Sequence, residues 1–116
     1  MAREPQHDRI ARRVARLHGG RYVQAKGADI IAPRLVGKVE VQTRKLGDGI
    51  RHLQGYRKPR YLVVPDRLVQ EAQSRTKALK VGVMDQHGRV VKAAAQPKSA
   101  NARGRSSKQR DDQARA

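Results

Sequence analysis

Arg60-Tyr61-Leu62-Val63-Val64 is an almost continuous apolar run, closed by Pro59 on one side and Pro65 on the other. A strand with one wet face alternates apolar and polar residues; an unbroken run is expected of a central strand buried on both faces. The chain must therefore build a sheet with other elements packed against it. Three Tyr and no Phe or Trp leave Val, Ile, Leu and Ala to make that core.

The flanking segments supply the rest. Over residues 6–18 the apolar positions Ile10, Val14 and Leu17 recur at helical spacing beside Ala11 and Ala15, and Gly19-Gly20 ends the pattern. Segments 21–26, 28–32 and 37–43 read as strands, and their close spacing implies an antiparallel meander. Gly47-Asp48-Gly49 offers Asp48 as a cap for a helix over 49–56, with Ile50 and Leu53 inward. Asp66 would cap a helix over 67–74. Segments 80–84 and 89–93 flank Asp85-Gln86-His87-Gly88, a turn that fits a closing β-hairpin. The order is helix, three strands, helix, strand, helix, hairpin, an α+β arrangement with an αβββαβ core. Residues 1–95 form one domain on this reading. Residues 96–116 lose all apolar periodicity and read as a disordered basic tail, either an added electrostatic contact to DNA or an end of little consequence.

Charge narrows the partner. The 116 residues carry 27 Lys and Arg against 10 Asp and Glu, a formal charge of +17. Such an excess repels itself and calls for a polyanion. Arginine outnumbers lysine 18 to 9, which favours bidentate phosphate contacts. There is no long apolar run, signal peptide or basic helix with an aromatic face, so nucleic acid fits better than a membrane surface. Scarce aromatics argue against base-stacking platforms. With no cysteine, disulfides and thiolate metal sites are excluded, and a cytoplasmic, nucleoid-associated protein of cellular or viral origin is expected.

Against this basic background two acids stand in apolar runs, Asp29 in Gly27-Ala28-Asp29-Ile30-Ile31 and Glu40 in Lys38-Val39-Glu40-Val41-Gln42. Carboxylates in a half-buried sheet need compensation, and a divalent cation is the usual one. If the two strands pair, Asp29 and Glu40 share a face and come within reach of one ion, with the Val41 carbonyl as a further donor. Mg²⁺ suits such a site, with Mn²⁺ as a substitute, because it keeps several waters and needs one or two carboxylates. Taken singly, Asp29 reads as a strand-end acid paired with an arginine and Glu40 as an exposed strand residue. Taken together they favour the metal.

The string Gly27-Ala28-Asp29 … Val39-Glu40-Val41-Gln42-Thr43 resembles the PD-(D/E)XK nuclease superfamily, which carries Asp and Glu-x-Lys on adjacent strands. The αβββαβ order is similar to its core, a restriction-endonuclease-like mixed sheet flanked by helices. Length, charge and the leading helix are most similar to the archaeal-type Holliday-junction resolvases. The resemblance implies a Mg²⁺-dependent endodeoxyribonuclease that resolves four-way DNA junctions as a homodimer, with Asp29 and Glu40 as metal ligands. It implies that Asp8, beside His7 on the first helix, supports the metal and that Gln42 stands where the family has lysine. Gln can orient a water but cannot stabilise a developing anion as a charge does. Arg44, on the Glu40 face by alternation, or Lys45 would supply that charge. DNA contacts are expected from Arg9, Arg12, Arg13 and Arg16 on the first helix, from Lys26, Arg44 and Lys45, and from Arg51, Arg57 and Lys58. For Asp8 a helix-dipole role is an alternative, and for the 51–60 segment a solvated basic face. The competing functions are another nicking or end-processing nuclease of the superfamily and a non-catalytic basic DNA-binding protein.

Overall fold

In the computed structural model, which describes residues 5–24 and 27–95, helix α1 (Gln6–Leu17) comes first. It buries Ile10, Ala11, Val14 and Ala15 along one stripe and leaves its arginines outside. Then follow β1 (Arg21–Tyr22), β2 (Ile30–Ile31) and β3 (Val36–Val39), each antiparallel to the one before it. A single 3₁₀ turn (Thr43–Lys45) runs straight into α2 (Leu46–His52). β4 (Arg60–Val63), a second 3₁₀ turn (Asp66–Leu68), α3 (Val69–Thr76) and the hairpin of β5 (Gly82–Met84) and β6 (Val90–Lys92) complete the fold.

The six strands form one mixed sheet in the order β1-β2-β3-β4-β5-β6. β3, β4 and β5 run parallel, linked by the α2 and α3 crossovers, and β6 returns antiparallel. The apolar run is therefore an inner strand, as its pattern demands. Val63 joins Ile30, Val39 and Met84 under α1, while Leu62 and Val64 join Val36 and Val83 under α2 and α3. One helix covers one face and two cover the other, an α+β architecture of three layers. Among the described residues no helix is long and apolar enough to cross a membrane.

Several expected boundaries move. The first three strands are shorter than the apolar runs that marked them, and the third ends at Val39 rather than residue 43. The helix expected from residue 49 begins at Leu46, so Asp48 lies inside its first turn and pairs with Arg51 instead of capping it. Tertiary contact outweighs the glycine signal. A β-carbon on Gly49 would stand 2.7 Å from Glu40 Cγ and 2.9 Å from Leu62 Cδ1, so this glycine lets α2 lie close on the sheet. Asp66 makes no side-chain cap; its backbone N–H instead donates to Gln86 Oε1 at 3.1 Å. Lys26 and residues 96–116 lie outside the described residues.

Candidate active site

The site begins where β2 leaves the sheet. Before Ile30 the chain turns through Gly27, whose φ of +93° and contact with the Tyr56 hydroxyl leave no room for a side chain. Asp29 still donates its backbone N–H to the Gly37 carbonyl at 2.8 Å. Beyond that point no backbone of β2 is left to pair, and the Asp29 side chain takes over: Oδ2 accepts the Val39 N–H at 3.0 Å. A short acid that extends a ladder this way is fixed by the fold itself.

Two further groups close on Asp29. His7 Nε2 lies 3.1 Å from Oδ2, and Lys38 Nζ donates to Oδ1 at 3.3 Å. The Asp29 side chain is only 6% exposed and that of Lys38 12%. Burial pushes the Asp29 carboxyl up, but the His7 and Val39 hydrogen bonds and the Lys38 charge prevail and hold it below the usual range. His7 is raised in turn, chiefly by its bond to Asp29, against the opposing effect of burial. Its other nitrogen, Nδ1, meets Asp8 Oδ1 at 3.1 Å, and the Tyr22 hydroxyl donates to the same oxygen at 2.7 Å. Burial first and Asp8 second push Tyr22 up to about 12. Asp8, expected at the metal, thus stands one imidazole removed from Asp29, and His7 makes the direct contact.

Glu40 differs from Asp29. It follows β3 directly, donates its backbone N–H to the Val63 carbonyl at 3.0 Å, and is 9% exposed. Its carboxylate has no hydrogen bond or ion pair among the described residues. Burial raises its pKa; the Lys38 charge opposes this and the nearby Asp29 charge adds to it. The fold therefore brings together His7, Asp29, Lys38 and Glu40, two carboxylates with opposite shifts around one lysine.

The remaining expected residues scatter. Gln42 is exposed and accepts from Arg44 Nε at 3.0 Å, so the residue at the lysine position is tied to one of the two expected to supply its missing charge. The Val41 carbonyl accepts from Arg67 Nη2 at 2.7 Å, which commits part of it to a guanidinium. Lys45 is exposed, and its charge reaches Glu40. Arg9, Arg12, Arg13 and Arg16 line the outer side of α1, with Arg12 stacked 5.6 Å from the Tyr22 ring centroid and Arg13 reaching the Gln86 carbonyl at 3.3 Å. Arg57 and Lys58 precede β4 and so stand at the end of the sheet away from Glu40. The unanticipated members are His7, Lys38 and Arg67. Lys38 was visible by alternation, two residues before Glu40 on the same face; nothing local marked the other two.

Among the described residues no group of three or more His, Cys, Asp or Glu side chains is placed to hold a metal ion. The donor chemistry of the pair still fits one hard cation. A carboxylate offers about four acceptor sites, of which, among the described residues, Asp29 uses three and Glu40 none. No protein-family model, curated protein or solved structure matches the chain, so a functional reading rests on this cluster and the sheet that carries it.

Proposed function

We propose that this chain is a metal-dependent endonuclease that cleaves DNA phosphodiesters, with a restriction-endonuclease-like fold, and that it acts on four-way junctions as a homodimer. The observation that carries the reading is Glu40, a residue only 9% exposed whose carboxylate has no partner among the described residues, set beside Asp29. An acid in that position is costly unless a cation completes it. Asp29 and Glu40 would hold Mg²⁺ or Mn²⁺, which would supply Lewis acidity for a phosphate oxygen and an attacking water. Two carboxylates suffice, because Mg²⁺ keeps several waters.

The protein's own groups divide the remaining work. His7 and the Val39 N–H fix the Asp29 carboxylate in one orientation. Lys38 places a positive charge between the acids, the service that Gln42 cannot give and that Arg44, bonded to Gln42, does not give. An ammonium there can meet a phosphate oxygen as negative charge grows on it. Asp8 and Tyr22 position the outer nitrogen of His7. Two copies of the site in a symmetric dimer would make the paired cuts that a junction requires.

The test is cleavage of a synthetic four-way junction beside a linear duplex of the same arms, with Mg²⁺, Mn²⁺ or EDTA. Paired metal-dependent nicks confined to the junction and abolished by Glu40→Ala are expected. Metal-dependent cutting of both substrates would keep the nuclease and remove the junction preference. A second reading, a non-catalytic nucleic-acid binder, is favoured by Asp29 already holding three partners. It predicts junction binding with no cutting in any metal, and binding unchanged in Glu40→Ala.

A further inference from the structure

The parallel strands give the sheet two unlike ends. At their C-terminal ends lie Glu40 after β3, Asp66 after β4 and Asp85 after β5. At their N-terminal ends the signs reverse: Arg34, Lys58 and Lys80 each stand two residues before the first residue of β3, β4 and β5. No acid occurs in the segments 32–35, 54–60 and 77–81 that lead into these strands. Neighbouring strands lie about 4.8 Å apart, so the three cations form a row roughly 10 Å across. A duplex carries one charge per ~1.7 Å of its axis, so such a row faces several phosphates at once.

Two details fit the row to a ligand. Arg57 joins Arg34 and Lys58 around a hollow of about 580 Å³ framed by Pro33 and Pro59. Beside it, Arg60 and Lys80 meet Gln54 along a cleft of 280 Å³. There the Arg60 Nε is buried and finds no acceptor among the described residues.

We infer that this basic end of the sheet is a second nucleic-acid contact, holding the phosphate backbone through Arg34, Lys58, Arg60 and Lys80. The length of β3, four residues at about 3.3 Å each, keeps it on the order of 13 Å from Glu40. It rests on the proposed function only in naming the polyanion as nucleic acid. Cutting plays no part in it.

The experiment measures binding of the full chain to a fluorescein-labelled 30-base-pair duplex in EDTA, by anisotropy across a salt series. Wild type is compared with Arg34→Gln/Lys80→Gln and with Arg75→Gln/Arg89→Gln, whose guanidinium groups already pair with Glu71 and Asp85. Each phosphate contact contributes about 0.9 to the log–log salt slope, so the first pair is expected to lower it by about 2 and the second hardly at all. Equal losses, or none, would overturn the inference. Polyglutamate competing as well as unlabelled duplex would do so too, by removing the phosphodiester. Should the first pair not melt cooperatively, Arg34→Gln alone, on the surface, is expected to lower the slope by about 1. A chain that binds this way but never cleaves would sink the nuclease reading and leave this one standing; cleavage with an unchanged slope would do the reverse.

Discussion

Around Glu40, single atoms decide the outcome, and the two glycines of α2 show it. Gly49→Ala would put a methyl against Glu40 Cγ and Leu62 Cδ1, whereas a β-carbon on Gly47 meets only Arg51 Nη1 at 4.0 Å. Gly49→Ala is expected to destabilise the fold by about 1–3 kcal/mol through overpacking. Gly47→Ala, in an open helical position, is expected to stabilise it by up to ~1 kcal/mol. Chemical denaturation of the two variants checks both signs, and equal shifts would contradict the close approach of α2. Lys38 is the second test. Lys38→Gln is expected to slow Mg²⁺-dependent cleavage by about 10²-fold or more, with Lys38→Arg retaining part of the rate. An unaffected rate would remove Lys38 from the chemistry. Of this cluster the acids were legible in the sequence, because carboxylates interrupt apolar runs. Lys38 was legible in position but not in role, since its bond to Asp29 depends on which way a long side chain reaches. His7 was not legible as a partner: it meets Asp29 across 22 residues of chain.

At the scale of the element, the closing hairpin turns on Asp85. Its Oδ1 accepts the backbone N–H groups of His87 at 2.8 Å and Arg89 at 3.0 Å, and Arg89 Nε reaches Oδ2 at 3.2 Å. Burial pushes the carboxyl up, but these donors outweigh it and the pKa is lowered. A lowered carboxylate stabilises the fold above its unfolded pKa, about 3.9. That stabilisation is lost as pH falls through the lower folded value. Thermal melts from pH 5 to 2 are therefore expected to show an acid-induced loss that Asp85→Asn reduces; an identical pH profile in the variant would exclude Asp85 as a contributor. The hairpin, α1 and the central strand were all readable from pattern, since each depends on local turn chemistry or on periodicity. The start of α2 was not. Glycines at 47 and 49 signal a break, and only the crowding by Glu40 and Leu62 explains a helix through them.

Across the whole molecule, the layers are unequal. α2 and α3 lie between consecutive strands of the parallel core, whereas α1, the one described helix on its face, leads into the edge strand β1. The antiparallel start, parallel middle and closing hairpin follow from the order of elements; which helix covers which face does not, because either face of the run at 60–64 is equally apolar. Amides of α1 are expected to exchange with solvent through a smaller opening than those of β4. Hydrogen exchange resolved by residue checks this, and equal protection would make the layers one cooperative unit. The position of His7 on α1 then acquires a temporal meaning. α1 packs on Ile30 and Val39 from β2 and β3 and on Val63 and Met84 from β4 and β5, so its seat is complete only when β5 is in place. Every opening of α1 therefore lifts the imidazole from Asp29 and leaves in place the Val39 bond that holds the acid to the sheet.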